Sequence, residues 1–166
     1  MCKVLFRKII KPRLTADEEL NLERKYTGVT WSDYHNGIHY DQAMVEVKSL
    51  LKDAIVVGHD IESDEKALRF SVSSVAHRVI DTATNPELNH LVPSERGKSK
   101  SKLSVLTSAL LGRDIQSSAV HDPVEDAFAS LEIFLKYREI FEEAVSPCSS
   151  KTATLLDGTG RTIRLE

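Results

Sequence analysis

Four stretches of this sequence carry residue types that could do chemistry. Gly58-His-Asp-Ile-Glu-Ser-Asp64 follows the short apolar run Ala54-Ile-Val-Val57 and puts Asp60 and Asp64 just past it. Asp81-Thr82 follows a second apolar pair, Val79-Ile80. His121-Asp-Pro-Val-Glu-Asp126 sets an imidazole ahead of a carboxylate at the mouth of an amphipathic stretch. Lys98-Ser-Lys-Ser-Lys102 ends a basic run that opens at Arg96. An imidazole can take or give a proton near neutral pH. Carboxylate oxygens suit hard divalent ions. Clustered lysines suit phosphates.

Each stretch also has a plain structural reading. Asp60 or Ser63 caps a following helix, and Asp64 complements its positive end. Asp81-Thr82 is a turn, and the lysine run is a solvated loop. Asp122 and Pro123 are an ordinary N-cap and first helical residue. On a helical wheel Asp126 falls about 200° from Val124. That is off the stripe formed by Val124, Ala127, Phe128, Leu131, Phe134 and Leu135, which predicts a solvated carboxylate. Ala129 and Ile133 share the side of Asp126, so that side is not wholly polar.

The elements that must position these residues alternate. Residues 3–10 read as a strand ending before Pro12. Ala43, Met44, Val47, Leu50 and Leu51 recur at helical spacing, with Asp41 as the expected N-cap. Ala54–Val57 is a continuous apolar run of the kind buried parallel strands show. A helix over about 63–70, a strand at Val79-Ile80 and a polar loop over 84–100 follow. A helix at Leu103–Leu111 is stopped by Gly112, and a last helix runs from Pro123 to about Val145. Leu155–Ile163, built around Asp157-Gly158, reads as a small hairpin or a flexible tail. The alternation indicates an α/β fold.

Length and composition set outer bounds. The chain has 166 residues, 41% apolar and 28% charged, with a net charge of −3. That suits one domain with a core, expected over residues 1–145, and a tail over 146–166. No basic excess advertises nucleic-acid binding, so such a partner must be argued from a site. The two cysteines, Cys2 and Cys148, suggest neither a disulfide framework nor a zinc site, and point to a reducing intracellular setting. No apolar run approaches the length of a membrane span, and the N-terminus does not read as a signal peptide.

Taken together, the order of the four stretches is more specific than any one of them. The quoted residues Val4-Leu-Phe-Arg-Lys-Ile-Ile-Lys-Pro12, Val56-Val-Gly-His-Asp-Ile-Glu-Ser-Asp64, Ile80-Asp-Thr82, Ser108-Ala-Leu-Leu111 and His121-Asp-Pro-Val-Glu-Asp-Ala127 resemble the DEDDh 3′-to-5′ exonucleases of the ribonuclease-H-like superfamily. Within it they are most similar to the eukaryotic RNA exonuclease group that includes the interferon-stimulated 20 kDa exonuclease. The resemblance covers about residues 3–138. It implies a ribonuclease-H-like fold, a mixed sheet flanked by helices, and Mg²⁺- or Mn²⁺-dependent hydrolysis. In that chemistry two ions about 3.5–4 Å apart clamp the attacking and leaving oxygens. It also implies roles by position: Asp64 and Asp126 as metal ligands and His121 as general base. Lys98, Lys100, Lys102 and His59 would face nucleic acid, the single-stranded 3′ ends of RNA being the implied partner. Residence in the nucleus or nucleolus follows from the resemblance alone.

The family's first motif, an Asp-x-Glu on an opening strand, has no counterpart among the matched residues. Asp17-Glu18-Glu19 lies after the matching strand and reads as a solvated helix start. Two expectations follow: an exonuclease-like domain without its first strands, and little or no hydrolysis by this chain. In that case Ala54–Val57 would lack its usual neighbour. Two alternatives are a non-catalytic relative that binds RNA or protein, and an interaction domain in which Asp64, His121 and Asp126 are idle.

Overall fold

A computed structural model describes residues 3–11, 28–94, 100–117, 120–142, 153–156 and 162–164. Lys98 and the rest of 95–99 lie outside them. The strands are β1 (Lys3–Val4), β2 (Ile10–Lys11), β3 (Ile38–His39), β4 (Ile55–Gly58), β5 (Arg78–Asp81), β6 (Ala153–Leu156) and β7 (Thr162–Arg164). The helices are α1 (Trp31–His35), α2 (Tyr40–Leu51), α3 (Ile61–Leu68), α4 (Pro86–Leu91), α5 (Leu103–Leu111), α6 (Pro123–Lys136) and α7 (Arg138–Glu142). The fold is mixed α/β, as the alternation predicts.

The main sheet has the order β1-β7-β6-β4-β5. β4 runs parallel to both β5 and β6, with Val57 opposite Ile80 on one side and Leu155 on the other. β6 and β7 form an antiparallel hairpin, and β1 lines the far side of β7 in antiparallel register. A separate parallel pair joins β2 to β3.

β4 is the axis of the core. Val56 and Val57 are both fully buried and belong to different apolar clusters. Val56 packs with Met44, Val47 and Leu51 of α2 and with Ile61 and Leu68 of α3. Val57 packs with Leu106 and Leu110 of α5 and with Ala127, Leu131 and Ile133 of α6. A strand covered on both faces needs an apolar residue at every position, which is why the run lacks polar alternation.

Several expectations are corrected. Residues 3–10 do not form one strand: β1 stops at Val4 and the chain re-enters a ladder only at Ile10. The second side of β4, expected to lack the family's opening strand, is taken by β6. Of the stretch Leu155–Ile163, read as a small hairpin or a flexible tail, the described residues fall in β6 and β7, which pair antiparallel in the main sheet. The final helix ends at Lys136, with the separate α7 after Tyr137. The N-cap of α2 is His39 rather than Asp41, and its side chain makes no cap bond. The loop over 84–100 contains α4, whose start carries an N-cap bond from Leu88 N to Asn85 and Pro86 at N1. Gly112 ends α5 with φ +68°, as expected of a left-handed stop.

Candidate active site

The carboxyl ends of β4 and β5 lie side by side, with Gly58 opposite Asp81. In open α/β sheets that is where ligands gather. Here Asp81 is the organiser. Its carboxylate accepts from Asp60 N at 2.8 Å, Ile61 N at 3.1 Å and Ala83 N at 2.9 Å. It therefore caps α3 from a neighbouring strand, while Asp60, the residue at the N-cap position, makes no side-chain cap bond. Asp60 adopts a left-handed conformation, φ +62°, which Asp tolerates better than most side chains. Its carboxylate accepts instead from Ser63 Oγ at 2.7 Å and from Lys100 Nζ at 2.5 Å. Burial raises the Asp60 pKa, but the bonds from Lys100 and Ser63 outweigh it and hold the group below the usual carboxylate range. Lys100 also lies 3.6 Å from Glu62, and the bond to Asp60 raises its own pKa.

His59 stands beside this group. Its Nδ1 is 3.0 Å from Thr82 Oγ1, and the Thr82 hydroxyl lies 3.0 Å from Gly58 O. Burial depresses the His59 pKa against the pull of Asp81 and Asp60, which holds the ring neutral at pH 7. Asp64 lies one turn further along α3 and is only 1% exposed.

A second group of candidate residues gathers at the start of α6. Asp122 caps the helix through Val124 N at 2.9 Å, with Pro123 at N1. Asp126 is not the solvated carboxylate the wheel predicts. Ala129 and Ile133 on its side are fully buried, whereas Leu135, assigned to the buried stripe, is 49% exposed. The helix is wedged between α5 and the sheet, so a second face is covered. Asp126 is half-buried there. Its Oδ1 accepts from Gln116 Nε2 at 2.9 Å, and its Oδ2 lies 4.0 Å from His121 Nδ1. Burial raises the Asp126 pKa, opposed by the Gln116 bond and the nearness of His121. Gln116 itself has φ +57° and donates its backbone N–H to Glu125 Oε2 at 3.1 Å. It bridges two carboxylates at the start of α6. Sequence reading missed it, and the only signal was a polar side chain between the α5 stop and His121.

The raised pKa gives a prediction with a definite sign. A carboxylate raised on folding destabilises the native state once it ionises, that is, as pH rises through its folded value. Asp126→Asn keeps an acceptor for Gln116 and removes that cost. The variant is expected to melt no lower than the parent at pH 7. Any gain should vanish below the ordinary carboxylate range, where Asp126 is already protonated. Thermal melts between pH 3 and pH 7 check this, and a clear loss of stability at pH 7 would contradict it.

The structure thus brings His121 to Asp126 and His59 to Thr82, and ties Lys100 to Asp60. Lys102 is exposed at the N-cap of α5. Asp64 and Asp126 are hard oxygen donors. Yet among the described residues no group of three or more His, Cys, Asp or Glu side chains could hold a metal ion. The described donors do not fit a two-ion centre. Among the same residues, no helix is long and apolar enough to cross a membrane.

No family model matches the chain. Among curated proteins it is similar to RNA exonuclease 4 of Candida glabrata, 34% identical over 134 residues. That alignment covers 81% of this chain and 48% of the relative. It is also similar to the apoptosis-enhancing nuclease of Rattus norvegicus, 28% identical over 86% of this chain and 42% of the relative. A third is interferon-stimulated 20 kDa exonuclease-like 2 of Homo sapiens, 32% identical over 72% of this chain and 33% of the relative. The chain spans about half, or less, of the length of these relatives.

Proposed function

From a chain that belongs by sequence to the RNA exonuclease group, we propose an exonuclease-type domain of ribonuclease-H-like, DEDDh ancestry that engages the single-stranded 3′ end of RNA and, on its own, hydrolyses it little or not at all. The observation that carries the reading is the pairing of His121 with a half-buried Asp126 at the start of α6, in a chain whose relatives are named as RNA exonucleases. Asp126 is fixed on the helix and by Gln116, while His121 is 43% exposed and able to meet a water molecule or a ribose hydroxyl. In the active form of such a site His121 would take a proton from the attacking water.

Divalent ions, Mg²⁺ or Mn²⁺, would supply positive charge to stabilise the negative charge on the phosphoryl oxygens in the transition state. Asp64 and Asp126 are the residues of this chain assigned to them. Two carboxylates on separate helices, without a third ligand among the described residues, support weak ion binding at most. The role assigned to this chain is recognition rather than turnover. Lys102 and Lys98 are assigned to phosphate, with Lys100 held back by Asp60. Residence in the nucleus or nucleolus belongs to the same reading.

Fluorescence anisotropy tests it. A single-stranded RNA with a free 3′ hydroxyl is expected to bind more tightly than the same RNA in a blunt duplex. Lys102→Gln should weaken binding and reduce the salt slope by about one. Equal affinity for both forms, or none for either, would defeat the proposal. A non-catalytic protein-interaction role is the second reading, and an absence of any RNA affinity favours it.

A further inference from the structure

Asp60 stands where a helix cap is expected and does not serve as one. It occupies the N-cap position of α3, yet its side chain makes no cap bond. Asp81 holds the helix start instead, accepting from the backbone N–H groups of Asp60 and Ile61. Asp60 itself sits in a left-handed conformation, φ +62°. That conformation costs a side-chain-bearing residue free energy and persists only where the surroundings impose it. With the backbone cap supplied by Asp81, the Asp60 carboxylate is left to other side chains. Its Oδ2 accepts from Ser63 Oγ at 2.7 Å and its Oδ1 from Lys100 Nζ at 2.5 Å.

Lys100 reaches this carboxylate from forty residues further along the chain. Its neighbour Ser101 is buried and donates its hydroxyl to Val92 O at 2.8 Å, which anchors the backbone beside it. Glu62 lies 3.6 Å from the same ammonium, but Glu62 is already paired with Lys66 at 2.9 Å. Asp60 is thus the contact that holds Lys100. The pair is open to water, with side chains 33% and 39% exposed. An ion pair that open adds little to folding stability. Its ammonium is a point charge on a flexible stem, able to trade a carboxylate oxygen for a phosphate oxygen. The pair also lies past the carboxyl end of β4, where ligands of open α/β sheets gather.

We propose that Lys100 is a phosphate contact kept masked by Asp60, so that Asp60 sets how many phosphates of an RNA strand this chain grips. The inference rests on the proposed engagement of RNA. In the parent protein the ammonium is already neutralised by Asp60, so it displaces no counterion from RNA. With the carboxylate replaced by an amide, Lys100 turns to a phosphate and one more counterion is released.

The test uses the 166-residue chain. Anisotropy titrations with single-stranded RNA between 50 and 200 mM salt compare the parent with Asp60→Asn. Asn tolerates the left-handed backbone and keeps an acceptor for Ser63. The variant is expected to bind more tightly, with a salt slope steeper by about one, so that its advantage shrinks about fourfold across that range. Lys100→Gln alone should leave the parent's slope unchanged. The double variant Asp60→Asn/Lys100→Gln, which has the parent's net charge, should return to that slope. Glu46→Gln makes the same charge change at an exposed position of α2 and should not steepen it. A second measurement needs no RNA: acetic anhydride labelling of Lys100, read by mass spectrometry, should be faster in Asp60→Asn than in the parent. Equal labelling would overturn the proposal. So would a parent that binds RNA and an Asp60→Asn variant of the same slope, a steeper slope that survives in the double variant or is matched by Glu46→Gln, or a slope lowered by Lys100→Gln alone. RNA bound by none of these proteins would defeat the proposed function, and this inference with it.

Discussion

Asp81→Ala is expected to lower the melting temperature by about 10 °C. Asp81 serves three backbone donors at once, those of Asp60, Ile61 and Ala83, from the end of β5. Removing the carboxylate strands these amides in a partly buried setting. A net loss of about 1 kcal/mol for each gives roughly 3 kcal/mol in all. For a chain of this size each kcal/mol moves the melting temperature by about 2–4 °C. The loss should also fall on α3, because Asp60 is a left-handed residue whose own side chain does not cap the helix. Asp81→Asn retains one acceptor oxygen and should lose about half as much. Calorimetry on the three proteins decides the matter. A melting temperature within a degree of the parent for the alanine variant would mean that the cap carries little of the stability at the site.

The second large effect is a contrast on α6. Leu131 is fully buried between α5 and the sheet, and truncation to Ala should cost about 3 kcal/mol through lost burial and the cavity left behind. Leu135 is 49% exposed, and the same truncation there should fall within about 0.5 kcal/mol of zero. Denaturant midpoints at constant slope measure both. Equal losses at the two positions would restore the single apolar stripe read from sequence and refute the orientation that half-buries Asp126.

That contrast shows where sequence reading succeeds and where it stops. The continuous apolar run of β4 and the Gly112 stop of α5 are local signals, and both are realised. The positions of His121 and Asp126 at the head of α6 were equally legible, because Asp122-Pro123 is a strong helix start. The orientation of α6 was not. A wheel assumes one buried face, and this helix is covered on a second one that holds Ala129 and Ile133. Nor could sequence show Asp81 as a cap, since its three donors come mostly from an element twenty residues earlier. The antiparallel pairing of β6 with β7 is readable as a hairpin, but its place beside β4 is not. Parallel pairing between distant segments leaves no local mark in the chain. The short helix α4 was missed although Asn85-Pro86 announces it.

One measurement bears most directly on the claim that this chain recognises RNA ends without cutting them well. The 166-residue chain is incubated with 5′-labelled single-stranded RNA in Mn²⁺ or in Mg²⁺, and the products are resolved by length over time. The RNA is expected to stay intact under conditions in which anisotropy shows it bound. A ladder of products shortened from the 3′ end, lost in both His121→Ala and Asp126→Asn, would contradict it and make this chain a working exonuclease.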